Sequence, residues 1–274
     1  RSSAASVVFK RQPIIKLAII IPAGGSSTRF GPKDKLSQDV GDRALLLRTV
    51  EFFTKRDEVQ EIIVAGPSKD FDIFKNKFGP SLSFHGVTIV QGGTKGRWES
   101  VQNALQVVSD DIDFIAVHDA ARPALTNSLF DDVLLASKNF SAVAVALPIH
   151  GTVKRSCNDA TVIGDDDVIA DSILGTNSQA KVQAYKVSET IDRSNLWELQ
   201  TPQIFTASLL QKAYESDISD CTDDAQAVEK LGEAVHLIEG DSRNIKVTTQ
   251  ADLQLIRAIL GAKGEQGRPA HQRF

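Results

Sequence analysis

The sequence lacks the features that mark several specialised classes of protein. Its 274 residues include only two cysteines, Cys157 and Cys221, with no CxxC motif and no Cys/His cluster around either. So few cysteines exclude a disulfide framework and argue against a structural zinc site, and we expect two free thiols in a reducing compartment. No apolar run approaches the roughly 18 residues that a membrane-spanning helix needs, so no span is expected.

An excess of positive charge is missing as well. The 31 Lys and Arg residues against 35 Asp and Glu residues give a net charge of −4, which argues against binding duplex nucleic acid through global charge. Hydrophobic residues at 42% and charged residues at 24% match an ordinary globular protein and exclude a disordered, collagen-like or coiled-coil chain. A chain of this length buries roughly 70–75% of its unfolded surface, so its core needs no metal or disulfide.

Short apolar runs alternate with segments of helical periodicity over the first half of the chain. Helices are predicted over residues 44–55, 99–108 and 129–137. The apolar runs predict strands over residues 17–22 (LAIIIP), 61–65 (EIIVA), 87–90 (VTIV), 114–117 (FIAV) and 142–147 (AVAVAL). Unbroken apolar runs joined by helices are typical of buried parallel strands in βα units. The predicted fold class is therefore α/β, with a three-layer sandwich architecture.

The pattern changes near residue 148. Acidic residues, Gly and Asn become dense as far as residue 187, and segment 180–185 alternates like a hairpin strand, which predicts an excursion from the main sheet. The rest of the chain is predicted to form helices over 208–216, 224–231 and 250–260 and closing strands over 235–238 and 245–247. We expect the basic segment 1–16 to be a disordered arm and the polar segment 261–274 to be a disordered tail.

The first candidate site is a loop of small residues directly after the first predicted strand. Residues 22–31 read PAGGSSTRFG, and small side chains let backbone N–H groups approach a triphosphate closely. Arg29 adds a forked cation for phosphate oxygens, and Lys35 follows as a point charge. The loop matches neither GxGxxG nor GxxxxGK[ST], which disfavours a dinucleotide site and a P-loop. Taken alone, the segment also fits a plain β-turn with a surface arginine.

Two further segments carry similar signals. Residues 92–101 (GGTKGRWESV) place a Gly-rich loop before a helix, which suits an anion or a base edge but also suits a solvent-facing loop. Residues 117–123 (VHDAARP) follow the fourth strand, and open α/β sheets bind ligands beyond the carboxyl ends of their strands. Asp119 is placed there to bind a ribose hydroxyl or a metal on a triphosphate. His118 in such a position is more often structural than catalytic.

The second half of the chain adds three polar motifs. They are TPQ at 201–203, TDDA at 222–225 and NIKVT at 244–248. Thr222 ahead of two acidic residues equally fits the N-cap of a helix. Lys246 at a strand end would be unremarkable as a solvated lysine. The pooled order of these segments is more specific than any one of them.

Together the segments resemble the 2-C-methyl-D-erythritol 4-phosphate cytidylyltransferase family of the non-mevalonate isoprenoid pathway. The resemblance runs from about Ala18 to Leu260. Its most specific parts are VHDAARP, TIDRSNLWELQTPQIF, TDDAQAVE and NIKVTTQADL. The IDR-x-x-LW stretch before TPQ favours this family over its pentitol-phosphate relatives. The resemblance implies a mostly parallel, Rossmann-like nucleotidyltransferase sheet over residues 17–260, with an inserted β-arm at about 148–186 through which the family dimerises.

The resemblance also implies roles for individual residues. Arg29 and Lys35 would stabilise charge on the α-phosphate, and Arg193 and Lys246 would position the sugar phosphate. The residues expected to bind CTP are Ala23, Gly24, Gly25, Ser26, Ser27, Gly93, Ser100, Asp119 and Ala120. The residues expected to bind the acceptor are Asp119, Thr152, Arg193, Thr201 and Lys246. Thr152 and Arg193 would serve the neighbouring subunit's site in a homodimer, and Mg²⁺ would be held mainly by the CTP phosphates, with Asp119 as the one candidate protein ligand.

The sequence departs from the family pattern at four places. Gly151 stands where the family usually has Asp before Thr152, and Ser27 stands where its loop is richer in glycine. Arg29 and Lys35 are six residues apart where the family usually shows seven, so Lys33 is the alternative catalytic lysine. The stretch from Gly93 to Arg97 is one residue long against the family. None of these departures removes a charged residue type that the family uses in catalysis.

The predicted reaction is transfer of a cytidylyl group from CTP to 2-C-methyl-D-erythritol 4-phosphate, with release of pyrophosphate. The alternatives are the same chemistry on a pentitol phosphate such as ribitol 5-phosphate, and a non-catalytic nucleotide-binding module. A binding module would be expected to lack Arg29, Lys35 or Lys246, and all three are present. The missing dinucleotide fingerprint disfavours an NAD-dependent oxidoreductase. No nucleic-acid or membrane partner is expected, and a bacterial cytoplasm is favoured over a plastid.

Overall fold

The computed structural model describes residues 15–25, 30–31, 34–163 and 182–262. Seven strands within this range form the main sheet: β1 (Leu17–Pro22), β2 (Val59–Gly66), β3 (Thr88–Gln91), β4 (Phe114–Val117), β5 (Ala142–Pro148), β8 (Trp197–Thr206) and β9 (His236–Glu239). A separate pair is formed by β6 (Val153–Ile163) and β7 (Val182–Ile191). The helices are α1 (Leu45–Phe53), α2 (Phe71–Phe84), α3 (Arg97–Leu105), α4 (Asn127–Ser137), α5 (Ala207–Tyr214), α6 (Asp224–Glu229) and α7 (Gln250–Ile259). Of the segments 1–16 and 261–274, predicted to be disordered, residues 1–14 and 263–274 lie outside the described residues.

The main sheet has the strand order β3-β2-β1-β4-β8-β5-β9. β1 pairs in parallel with β2 and β4, β2 with β3, and β5 with β9, while β8 runs antiparallel to β4. This mostly parallel sheet confirms the predicted fold class. The strand order reverses direction at β1, so the carboxyl ends of β1 and β4 meet where an open α/β sheet usually binds its ligand.

The sheet is covered on both faces by hydrophobic cores. Along β1, Ile19 and Ile21 pack into one core while Ile20 packs into the other, and all three are fully buried. The first core contains Phe53 of α1 and Phe130 of α4. The second is completed by residues of α3, α5 and α6. A strand buried on both faces needs apolar residues at every position, which explains the unbroken LAIIIP run.

One predicted strand is absent from the main sheet. Residues 245–247 have no strand partner, and their backbone is instead tied to the loop after β4. The Val247 N–H donates to the Ala121 carbonyl oxygen at 2.9 Å, and the Arg122 guanidinium donates to the Asn244 carbonyl oxygen at 2.7 Å. The apolar side chain of Val247 is buried by this packing, so burial rather than sheet pairing accounts for the strand-like pattern.

The chain divides into two compact units. The smaller unit comprises residues 148–198, and the larger one combines the residues before and after it. In the smaller unit β6 and β7 form an antiparallel ribbon, with Val153 opposite Ile191 and Ile163 opposite Val182. The unit extends past the predicted end at residue 186, because β7 itself continues to Ile191.

Candidate active site

A cavity of about 800 Å³ opens at the carboxyl ends of four parallel strands in the larger unit. Each strand contributes the residues that follow it, as the strand-end rule for open α/β sheets predicts. Pro22 ends β1, Pro67 follows β2, Gly93 follows β3 and Asp119 follows β4. Lys246 and Thr248 enter from the segment before α7. The cavity therefore brings together the three segments that the sequence analysis singled out.

The first loop leaves β1 in close contact with β2. The Ala23 N–H donates to the Ala65 carbonyl oxygen at 2.7 Å, and a Cβ at Gly24 would lie 3.0 Å from the Gly66 carbonyl oxygen. Ala23, Gly24 and Gly25 line the cavity as predicted. The predicted residues Ser26, Ser27 and Arg29, and the alternative lysine Lys33, lie outside the described residues.

Lys35 also lines the cavity, and the segment around it is held in place. Asp34 accepts a hydrogen bond from the Leu36 N–H at 3.0 Å and pairs with Lys77 of α2 at 2.8 Å. The Lys35 carbonyl oxygen accepts from the Gln38 N–H at 3.1 Å. These contacts fix the backbone that carries the lysine toward the cavity.

The second loop depends on two glycines. A Cβ at Gly92 would lie 2.2 Å from the Gly66 carbonyl oxygen, and a Cβ at Gly93 would lie 2.2 Å from Cβ of Glu99, so neither position can carry a side chain. The Gly93 N–H donates to Ser100 Oγ at 3.0 Å. The N–H groups of Thr94 and Lys95 both donate to Glu99 Oε2, at 2.7 and 2.8 Å. The amide donors of Gly93, Thr94 and Lys95 are therefore used within the loop, which disfavours an anion-binding role for these three groups.

Asp119 lies at the centre of a cluster of cations. Its Oδ2 is 3.1 Å from Nε of Arg122 and 3.0 Å from Nζ of Lys246, and its Oδ1 is 3.6 Å from Nε of Arg97. Burial opposes ionisation of this carboxyl, but Arg97, Lys246 and Arg122 outweigh it and hold the pKa of Asp119 well below its usual range. Asp119 is thus ionised at neutral pH and fixes Lys246 at the cavity.

His118 is a structural residue, as its position suggested. Its side chain is fully buried, with Nε2 3.0 Å from the Arg122 carbonyl oxygen and Nδ1 3.2 Å from Thr201 Oγ1. Burial lowers the pKa of His118 to about 4, so the imidazole is neutral at pH 7. It is not part of the cavity lining and supports the backbone that carries Asp119.

Thr201, which was predicted to bind the acceptor, is not among the residues that line the cavity. It is 5% exposed, and its hydroxyl accepts a hydrogen bond from the Asp119 N–H at 3.0 Å while contacting His118. The Thr201 hydroxyl thus supports the backbone of Asp119.

Two further residues that were predicted to bind the acceptor, Thr152 and Arg193, belong to the smaller unit. Thr152 is exposed just before β6 begins. The Arg193 guanidinium donates a hydrogen bond to the carbonyl oxygen of His150. The other predicted residues, Ser100, Ala120 and Lys246, all line the cavity in the larger unit.

Several lining residues carried no predicted role. Residues 67–70 (PSKD) follow β2 and form one wall, and Asp70 there has φ 57°, in the left-handed region. Gly-Pro directly after an apolar strand is the signal that could have identified this wall. Thr248 and Arg97 also line the cavity, and Arg97 stood within a quoted motif without a role. What Arg97 contacts depends on residues far away in the sequence, which no local pattern shows.

A mostly parallel sheet with a cation-lined cavity at its topological switch point defines a class of protein. Such a site suits a polyanionic ligand such as a nucleotide, as expected of the Rossmann-like nucleotidyltransferases that the sequence resembles.

Comparison with known proteins identifies the family. The sequence profile of the 2-C-methyl-D-erythritol 4-phosphate cytidylyltransferase family matches residues 17–170 and 168–262. A protein of Bacillus cereus with that name is 35% identical over 246 residues, which are 88% of this chain and 96% of the relative. One of Symbiobacterium thermophilum, also with that name, is 34% identical over 258 residues, 92% of this chain and 96% of the relative. The chain belongs to this family and is an enzyme of the nucleotidyltransferase class.

Solved structures agree with this assignment. A 4-diphosphocytidyl-2C-methyl-D-erythritol synthase from Anaerococcus prevotii is 29% identical and superposes with a TM-score of 0.66, covering 90% of this chain and 99% of that one. The 2-C-methyl-D-erythritol 4-phosphate cytidylyltransferase of Francisella tularensis is 26% identical with a TM-score of 0.68, covering 89% and 99%. In the part of the chain that the structure describes, no helix is long and apolar enough to cross a membrane.

Proposed function

We propose that this chain transfers the cytidylyl group of CTP to 2-C-methyl-D-erythritol 4-phosphate, forming 4-diphosphocytidyl-2-C-methyl-D-erythritol and pyrophosphate. The observation that carries the proposal is the position of Lys35 and Lys246 in one cavity around the ionised Asp119. Two cations in one cavity suit a reaction in which two phosphate groups must approach each other. Membership of the family supplies the identity of both substrates.

The chemistry that this site must provide is electrostatic. The acceptor phosphate is already ionised near pH 7, so its oxygen attacks the α-phosphorus of CTP without a general base, and the bond from that phosphorus to the pyrophosphate oxygen breaks. The barrier is the repulsion of two anions that must meet in line. Lys35, with Arg29 outside the described residues, would stabilise the charge that develops on the α-phosphate.

The second loop supports cytosine as the base. The amide donors of Gly93, Thr94 and Lys95 are used inside the loop, so backbone carbonyl oxygens are the groups of these residues that could contact a base. The exocyclic amino group of cytosine is a donor, whereas uracil has an acceptor oxygen at that position. A base contact made by carbonyl oxygens would therefore favour CTP over UTP.

The acceptor phosphate would be bound by Lys246 together with Thr152 and Arg193. Lys246 is fixed by Asp119 at 3.0 Å and its side chain is still 41% exposed, which leaves it able to contact a ligand. Thr152 and Arg193 would be supplied by the second subunit of a homodimer. Gly151 removes a carboxylate that would repel the acceptor phosphate or bind its hydroxyl groups.

The β6–β7 ribbon would form the dimer contact. Val162, Tyr185 and Val187 are each more than half exposed. Alternate residues of β7 share a face, and Val162 stands opposite Gln183, so these three apolar side chains lie on one face of the ribbon. A second copy of the same ribbon would bury this face.

A divalent cation fits the site only as a partner of the nucleotide. The described residues contain no group of three or more His, Cys, Asp or Glu side chains that could hold a metal. Asp119 Oδ1, 3.6 Å from its nearest cation, is the one carboxylate oxygen of the cluster that could add a ligand. Mg²⁺ bound to CTP would neutralise phosphate charge and polarise the α-phosphate. The free thiols Cys157 and Cys221 suit a cytoplasmic location.

Pyrophosphate release tests the proposal directly. The purified chain is assayed with CTP and Mg²⁺ against 2-C-methyl-D-erythritol 4-phosphate and, separately, ribitol 5-phosphate. We expect release with the first acceptor and little with the second. Release with ribitol 5-phosphate alone would move the chain to the pentitol branch, and CTP binding without release from either acceptor would support a nucleotide-binding module. UTP in place of CTP should give a much lower rate.

A further inference from the structure

Two buried titratable residues, Asp224 and Tyr214, have no part in the transfer chemistry. Asp224 begins α6 with no exposed surface, and it accepts a hydrogen bond from the Tyr214 hydroxyl. Burial and the neighbouring carboxylate raise the pKa of Tyr214 well above its usual range, so the phenol stays protonated and keeps donating. Neither residue lines the catalytic cavity. A fully buried carboxylate is costly unless a cation compensates it.

The compensating cation is Arg97, which does line the catalytic cavity. Its Nη1 is 2.8 Å from Asp224 Oδ2, and its Nε is 3.6 Å from Asp119 Oδ1. The guanidinium therefore forms a close ion pair with Asp224 and a longer ionic contact with Asp119. Asp224 holds Arg97 back from a close pair with Asp119.

Asp119 consequently divides its two oxygens between different cations. Oδ1 faces Arg97 at a distance, while Oδ2 pairs with Arg122 and Lys246. Arginine favours two-pronged pairing with a carboxylate, which a lysine cannot match. An Arg97 released from Asp224 would close on Asp119 and compete with Lys246 for its charge.

We infer that Asp224 and Tyr214 are positioning residues that act through Arg97. By retaining Arg97, they leave Asp119 to hold Lys246 at the place where the acceptor phosphate binds. The role given to Lys246 rests on the proposed function. The contacts among Asp224, Tyr214, Arg97 and Asp119 do not depend on it. The inference links a residue in α6 to the acceptor half of the site.

Steady-state kinetics of Asp224→Asn test the inference. This variant keeps the shape of the side chain and removes its charge. We expect the KM for the acceptor to rise about tenfold, while the KM for CTP changes far less. Tyr214→Phe retains the Asp224–Arg97 pair and should change the acceptor KM only about two- to threefold. The matched control is Asp220→Asn, at a side chain 71% exposed that pairs with Lys230 instead.

Measuring Asp224→Asn in an Asp119→Asn background separates a positioning role from a loss of structure. If Asp224 acts through Arg97 and Asp119, adding Asp224→Asn to Asp119→Asn should raise the acceptor KM no further. An equal effect in both backgrounds would overturn the inference. So would an Asp224→Asn variant whose two KM values rise together in proportion to its loss of Tm.

A measurement without substrates keeps this test independent of the proposed function. With ¹³Cε-labelled lysine, the Lys246 resonance is assigned from its disappearance in Lys246→Ala. It should shift in Asp224→Asn and stay in place in Asp220→Asn. An unmoved resonance in Asp224→Asn overturns the inference even if the enzyme is active. If the wild-type chain releases no pyrophosphate, the proposed function fails while this resonance still decides the inference.

Discussion

At the scale of single residues, the proposed mechanism uses the charge of Lys35, which lines the cavity, to stabilise the α-phosphate. Removing one preorganised cation from such a site costs about 10²–10³ in rate. We expect Lys35→Ala to lose that much in kcat for pyrophosphate release while its Tm stays near that of the wild type. Lys55→Ala, an exposed lysine outside the cavity, is the control. Wild-type turnover in Lys35→Ala would remove this lysine from the mechanism and leave Lys33 as the candidate.

The buried His118 leads us to expect that the stability of the protein depends on pH. Its pKa is about 4 in the folded protein against an ordinary value of 6.5, so below pH 6.5 the unfolded chain binds a proton that the folded one refuses. This residue therefore leaves the free energy of unfolding at its full value above pH 6.5. As the pH falls toward 4 the free energy of unfolding decreases, by about 2 kcal/mol between pH 7 and pH 5. Urea titrations at the two pH values measure it.

The control for this pH effect is His118→Asn. The substitution should lower stability at pH 7, because it disturbs the contacts to Arg122 and Thr201, but it should remove most of the difference between pH 7 and pH 5. A variant that kept the full difference would show that another group titrates.

The residues of the site differ in how far the sequence could reveal them. Asp119 and Lys246 could be predicted because each lies in a motif specific to the family, and the structure places them 3.0 Å apart. Thr201 lay in an equally specific motif, yet its hydroxyl is used by the Asp119 N–H. A motif shows that a residue matters, but only packing shows whether it faces the ligand or supports the residue that does. Arg97 was missed for the same reason, since its partner Asp224 is distant in the sequence.

At the scale of elements, α7 connects helix stability to the site. Its N-cap, Thr249, accepts a hydrogen bond from the Asp252 N–H at 3.2 Å, and Asp252 in turn accepts from the N–H groups of Thr248 and Thr249 at 2.8 Å each. Thr248 lines the cavity two residues after Lys246. We expect Thr249→Ala to cost about 1 kcal/mol of stability and to lower kcat/KM by loosening this segment.

The N-cap of α4 provides a matched control. Thr126 likewise accepts a hydrogen bond from the N–H three residues on, that of Leu129 at 3.3 Å, and it is not part of the cavity. Thr126→Ala should therefore cost a similar free energy of unfolding, measured by urea titration, and leave kcat/KM unchanged. Equal losses of activity in the two variants would mean that the effect follows global stability alone.

The elements themselves were predictable where burial leaves a simple pattern. The parallel strands β1 and β4 are short unbroken apolar runs because helices cover both their faces. Helix α2 was not predicted, since Gly79 and Pro80 lie inside it and both normally weaken helical patterns. The antiparallel β8 was also missed, because its buried Gln200, Thr201 and Gln203 serve polar networks and interrupt the apolar run.

At the scale of the whole molecule, the proposed homodimer implies that each site draws on two chains. In a heterodimer of Lys35→Ala and Arg193→Ala subunits, one site would then carry both substitutions and the other neither. We expect this heterodimer, purified through two different tags, to regain about half of the wild-type activity although each homodimer is inactive. If Arg193 served its own subunit, the heterodimer would also be inactive.

A second heterodimer carries the same two substitutions in the opposite arrangement. When a wild-type subunit is paired with a Lys35→Ala/Arg193→Ala double variant, sharing between subunits leaves each site with one defect, and the heterodimer should be inactive. Without sharing, the wild-type subunit would keep its own intact site and about half of the activity. The two heterodimers contain identical side chains in different pairings, so differences in folding or expression cannot produce opposite results. Val187→Lys, on the exposed face of the ribbon, should in turn yield monomers by light scattering and lose the activity of the wild-type homodimer.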